Sequence, residues 1–226
     1  MTTLAAEGRI VPHPSATFRY GAVFAIVLAL LLFQVLAPDA DWARALSVAL
    51  VGAALAVAVG TSRARGPVRR ARALVVSGVA AIVVIGIAAG VLSTAAAFLV
   101  GTLLLASIPV ALGGGLLRLI KTDGVTLQAV AGALAIYLLG GLLFASAISF
   151  CAAVQNGHFF TQGAHVSNGD RVYYSFTVLT TTGFGDYTTA TPVGHALAVF
   201  EMLTGQLYLV TVIGVLVGNF AGRRRT

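Results

Sequence analysis

Residues 170–192 read DRVYYSFTVLTTTGFGDYTTATP, and the reading of this stretch decides the fold. It stands between two long apolar runs, yet it holds too many threonines, glycines and charges to cross a bilayer as a helix itself. It must re-enter the membrane or lie on its surface. Asp170 is placed to cap a short helix over about residues 171–180. Roughly ten residues at 1.5 Å each carry a chain about halfway into hydrocarbon. There the helix meets Thr181, Thr182, Gly183, Phe184 and Gly185. Non-helical backbone at that depth is tolerated only where protein buries it or water lines it, because unpaired amides and carbonyls are costly in lipid. A water-filled or ion-filled path is implied.

The flanks fit a polytopic membrane protein. A bilayer core of roughly 30 Å needs about 20 apolar helical residues, and the sequence offers such runs at about residues 20–37, 42–60, 73–92, 94–113, 127–154 and 193–220. Pro38 and Asp39 stop the first. Gly113, Gly114 and Gly115 are expected to end the fourth, Pro109 to bend it, and residues 116–121 to form a short interfacial linker. The expected architecture is an all-α membrane protein of six transmembrane helices, with a re-entrant helix and loop between the fifth and sixth. It divides into residues 1–19, a cytoplasmic segment; 20–121, four membrane helices; and 122–226, the remaining two helices with the re-entrant stretch. The first apolar run exceeds a signal-peptide core and reads as an uncleaved helix.

Charge placement orients the spans. Arg9, Arg19, the five arginines between 63 and 72, Arg118, Lys121 and the arginines at 223–225 fall on one side of a six-span arrangement, against Arg44 and Arg171 on the other. The positive-inside rule then puts both termini in the cytoplasm and residues 155–192 outside. With 58% hydrophobic and 9% charged residues, the chain is no ordinary soluble domain, in which about a quarter of residues are charged. The net charge of +7 is absorbed by topology, so nucleic acid is not an expected partner; membrane lipid is. The single cysteine, Cys151, lies in an apolar run and reads as an inert thiol. Thirteen arginines against one lysine, with abundant alanine and glycine, point to a GC-rich bacterium and its inner membrane.

The two glycines of the central stretch have a physical task. Consecutive carbonyls point to one side only if alternate residues take dihedrals of opposite hand, which glycine does without a Cβ penalty. Four chains around an axis would then stack rings of oxygens that replace the water shell of a dehydrated cation, with the Thr181 hydroxyl as an innermost ring. Only one such stretch is present, so a closed ring needs a homotetramer. In the last run Gln206, Leu209, Ile213 and Val217 recur at helical spacing and would line a cavity below.

The residues 181–186, TTGFGD, resemble the potassium-channel signature, and residues 170–219 resemble the pore domain of that family, of the bacterial six-transmembrane type. The resemblance implies a filter holding K+ at Thr181, Thr182, Gly183 and Phe184, closed by Gly185, with Asp186 beside it. It implies that Tyr173 and Tyr174 take the places of the aromatic pair around the filter, and that Gly205 stands where the inner helix has its hinge glycine. The chain departs from the family at Thr182, commonly Val or Ile, and at Thr177, where some relatives carry a glutamate behind the filter. Phe184 for Tyr is a common variant.

Glu201 lies inside the last span, where burial of an acid is expensive. It either hydrogen-bonds behind the filter, for example to a pore-helix threonine, or faces the vestibule; the sequence leaves both open. His195, His158 and His165 read as surface histidines without metal-site spacing. The fourth run has no arginine before Arg118, which excludes the usual voltage sensor, and too few residues follow Phe220 for a ligand-binding domain. No catalytic constellation appears and no cofactor is called for; K+ is the permeant ion. The expected function is passive K+ conduction, the alternatives being a weakly selective cation channel, a secondary transporter or a non-conducting scaffold.

Overall fold

The computed structural model describes residues 19–40, 42–43, 46–47, 50–52, 93–156, 158–163 and 166–223. The expected third span, the arginine group at 63–72, the N-terminal segment and most of the second span lie outside them. Five helices are described: α1 (Arg19–Leu36), α2 (Thr94–Asp123), α3 (Leu127–Val154), α4 (Asn168–Leu179) and α5 (Pro192–Arg223). Three of them are long and apolar enough to cross a membrane, over Phe98–Leu117, Leu127–Val154 and Pro192–Val212, and Tyr20–Leu36 is a shorter apolar helix.

Aliphatic ridges pack α1, α2 and α3 into one layer. Val23, Val27 and Leu30 recur at helical spacing on one face of α1 and are wholly buried. They meet Leu104, Leu105, Ile108 and Leu112 of α2 and Ala135, Leu139 and Leu142 of α3. The core therefore joins residues on both sides of the expected boundary at 121–122. Small residues let the helices approach: a Cβ at Gly115 would sit 2.6 Å from Tyr20 Oη, and one at Gly132 2.9 Å from Tyr20 Cδ1. Gln128 Oε1, in the first turn of α3, accepts from the Tyr20 and Gly21 amides at the start of α1. These amides have no partner inside their own helix.

The contacts also give direction. The start of α1 meets the start of α3, so the two run parallel. Thr102, early in α2, bonds Ser146, late in α3, while Leu116 packs with Ala129 and Ala133. Thus α2 runs antiparallel to α3, and so does α5, in which Phe200 faces Phe144 and the Tyr208 hydroxyl donates to the Ala133 carbonyl at 2.6 Å.

Two expectations are corrected. The fourth apolar run does not end at Gly113 to Gly115: α2 continues through the triplet and through the supposed linker to Asp123, with Pro109 inside it. The flanking sequence is apolar and helix-forming, and Gly115 serves the approach of Tyr20 rather than a break. Asp170 is not the cap of the short helix. Ser167 is the N-cap of α4, and Asp170 is the third helical residue of a reciprocal capping box: the Ser167 hydroxyl accepts from the Asp170 amide while the Asp170 carboxylate accepts from the Ser167 amide.

Candidate functional site

Helix α4 is held at its start and left open at its end. The Asn168 amide donates to Asp39 Oδ1 at 3.1 Å, just beyond α1. Gly169 lies against the Val35 carbonyl, where a Cβ would come within 2.7 Å. Burial alone would raise the Asp170 carboxyl, but hydrogen bonds from Ser167 and Tyr187 and the charge of Arg171 outweigh it and hold Asp170 below the ordinary carboxylate range. The same bond from the Tyr187 side raises its phenol. Serine, aspartate and tyrosine thus fasten the start of α4 to the segment beyond the glycines.

At the other end, α4 stops at Leu179 and the chain turns back on it. The last carbonyls of any helix lack partners within it. Here the Thr177 carbonyl accepts from the Thr182 amide at 2.9 Å and the Gly183 amide at 3.1 Å, and the Val178 carbonyl accepts from the Thr181 amide at 2.9 Å. The amides of 181–183 therefore face α4. Among the described residues no donor reaches the carbonyls of 181–185. The strip is non-helical and exposed along residues 180–186. Its backbone alternates in hand: φ is +56° at Thr181, +51° at Gly183 and +83° at Gly185. Glycine takes that region freely, whereas a threonine there is strained. The strain at Thr181 is held by its amide bond to Val178 and by Gln206 of α5, whose Nε2 donates to Thr181 Oγ1 at 3.0 Å.

The remaining predicted residues are distributed as follows. Tyr173 stacks on Phe184, with planes 5° apart and centroids at 6.3 Å, and hydrogen-bonds Asp186. Tyr174 points the other way, edge-on to Phe160 at 5.2 Å. Thr177 is buried, and its hydroxyl donates to the Tyr174 carbonyl of its own helix. Gly205 faces the end of α4 so closely that a Cβ would collide with the Leu179 carbonyl, and its surroundings are those of a close approach. Leu209 is half-buried. Ile213 and Val217 lie on α5, and their side chains fall outside the description. Glu201 is wholly buried, and its Oε1 meets the hydroxyl of Ser175 on α4 at 2.5 Å rather than a threonine of that helix.

Sequence reasoning missed the support from residues 158–163. The Thr161 amide donates to the Thr188 carbonyl at 3.0 Å, the Ala190 amide to the Phe159 carbonyl at 2.8 Å, and Gln162 Nε2 to the Asp186 carbonyl at 2.6 Å. Phe159 and Phe160, both buried, anchor this segment against Tyr174 and Tyr187. The two adjacent phenylalanines in an otherwise polar loop were the available signal. Ser175 was missed altogether. It reads as an ordinary helix residue until Glu201 is placed beside it.

No curated protein and no solved structure matches the chain. Residues 132–221, from within α3 to near the end of α5, match the family model described as "Ion channel". That stretch contains α4, the alternating strip and most of α5, and its similarity to the family, together with the apolar helices, supports an ion channel in a membrane.

Proposed function

We propose that the chain is one subunit of a homotetrameric, potassium-selective pore that conducts K+ passively. The observation that carries this reading is the strip 181–185. Its first amides are turned to α4, its carbonyls are free of donors among the described residues, and its dihedrals alternate in hand. A single chain gains nothing from such a strip. Four of them around an axis make rings of oxygens able to replace ion hydration.

The K+ positions are the carbonyls of Thr181, Thr182, Gly183 and Phe184, with the Thr181 hydroxyl innermost. The C-terminal end of α4 directs its negative dipole to the cavity below, lined by Gln206, Leu209, Ile213 and Val217. The exposed apolar side chains of α5, among them Phe200, Leu203 and Leu207, suit contact with neighbouring subunits. The parallel course of α1 and α3, and the opposite course of α2 and α5, fit the alternation of a six-span arrangement, and the placement of the arginines puts both termini on the cytoplasmic side of a bacterial inner membrane. Gly205 allows α5 to close on α4 and is the hinge of that helix.

Reconstituted in liposomes, the protein is expected to pass K+ at least tenfold faster than Na+ and to be blocked by barium; a tenfold ratio corresponds to about 1.4 kcal/mol between the two ions. Equal K+ and Na+ fluxes would reduce the reading to an unselective cation pore. Uphill transport driven by a second gradient would replace it with a coupled transporter.

A further inference from the structure

The Glu201 carboxyl is wholly buried in a helix long and apolar enough to cross a membrane, and among the described residues one of its oxygens, Oε2, has no hydrogen-bond partner. Among the described residues its one hydrogen-bonding partner is the Ser175 hydroxyl, 2.5 Å from Oε1. The same hydroxyl lies 2.8 Å from the Gly141 carbonyl. A hydroxyl has one proton to donate, and a carbonyl can only accept. If Glu201 were ionised, two acceptors would compete for that proton, one oxygen pair would face each other without any hydrogen, and a charge would stand in the protein interior beside an unpaired oxygen. Such burial of an unpaired ion is among the costliest arrangements a protein can hold.

A proton on Glu201 removes all three difficulties. The acid donates to Ser175 Oγ, Ser175 donates to the Gly141 carbonyl, and the orphan oxygen is a neutral carbonyl. Among the described residues the titratable groups that feel Glu201 from the packed helices are phenols, Tyr137 on α3 and Tyr174 on α4, and on its own helix Tyr208 stacks with Tyr137; none of these brings a positive charge. We infer that Glu201 is a neutral carboxylic acid and a hydrogen-bond donor, and that through Ser175 it positions α4 between α5 and α3. The chain of two hydrogen bonds crosses three helices at the level of α4. It fixes the helix whose carbonyls at Thr177 and Val178 hold the strip. Gly141 permits the approach, since the Phe176 ring occupies the space a Cβ would need. Glu201 is a positioning residue, because it acts on the strip through α4. This second half of the inference rests on the pore reading above, while the protonation itself does not.

Infrared difference spectroscopy of the full chain in liposomes at neutral pH, wild type minus Glu201→Gln, tests the protonation directly. The expected result is a protonated-carboxyl stretching band that shifts in deuterated water. A difference spectrum containing only carboxylate bands overturns the inference, whatever the protein conducts. Flux through the same liposomes tests the positioning. Glutamine keeps an N–H donor toward Ser175 Oγ and leucine does not, so Glu201→Leu is expected to lose about tenfold in K+ flux relative to Glu201→Gln, in line with the cost of an unpaired buried group. Ser175→Ala is expected to lose a similar factor. Equal fluxes for the leucine and glutamine variants overturn the positioning role, and if the leucine variant does not assemble, a Ser175→Ala variant with wild-type flux does so. A wild-type protein that passes no K+ sinks the pore reading and leaves the spectroscopic result standing.

Discussion

The layer of α1, α2 and α3 and the assembly of α4, strip and α5 are held together by different physics. In the first, Val23, Val27, Leu30, Ile108 and Leu139 interlock through dispersion and shape. In the second, the joints are hydrogen bonds between named atoms: Thr182 and Gly183 amides on Thr177, Gln206 on Thr181, Glu201 on Ser175, and Gln162 on Asp186. An aliphatic contact that is trimmed leaves neighbours that relax into the space. A buried polar atom that loses its partner has no such recourse. The first region should therefore tolerate substitution gradually and the second abruptly.

The sharpest way to break that comparison is at Gly183. Nothing lies within 4 Å of where its Cβ would be, but its φ is +51°. Gly183→Ala therefore tests conformation without steric collision. At roughly 1–2 kcal/mol of strain for an L residue in that region, repeated in each subunit, K+ flux in liposomes is expected to fall to background. Unchanged flux would show that the strip does not conduct.

Next in size is Gly205→Ala, which drives a methyl group into the Leu179 carbonyl, a backbone atom that cannot swing aside. Overpacking of this kind costs about 1–3 kcal/mol, and a lower melting temperature in detergent is the measurement. Gly214, on the same helix with nothing within 4 Å of a Cβ, should accept alanine with little change.

Loss of the cap by Ser167→Ala should cost about 1 kcal/mol, visible as a smaller melting shift. The capping box also carries a pH signature. Asp170 is held below its ordinary range, so its contribution is complete at neutral pH, persists as pH falls to the usual carboxylate range, and is lost only below it. In Asp170→Asn that acid-side loss should vanish; persistence of the same profile would assign it to another group. The smallest effect is expected at Ile26→Val, about 0.5 kcal/mol from one missing methyl group on a half-buried side chain of the first layer. A loss at Ile26 as large as that at Gly205 would erase the distinction between the two regions.

How far the sequence could be read follows the same division. The strip was legible because its chemistry is local: alternate glycines and a threonine run announce a backbone of mixed hand. The helix before it was legible in type, but its start was misread. Ser167 and Asp170 are both capping residues, three apart, and only the pairing of the two names the first as cap. The triplet at 113–115 reads as a stop because glycine lowers helix propensity, while the reason for Gly115 is Tyr20, far away in the sequence. Glu201 advertised its importance by being acidic in an apolar run, but not its partner. Ser175 is 26 positions earlier, and no periodicity links the two.

The seat of α4 on the end of α1 has one further implication. The Asn168 amide rests on Asp39 and Gly169 on the Val35 carbonyl, while the far end of α1 is tied through Tyr20 and Gly21 to Gln128 of α3. The first helix is thus a strut clamped at both tips, with its upper tip bearing on the root of the short helix. It cannot slide along its own length without either dragging that root or tearing the clamp.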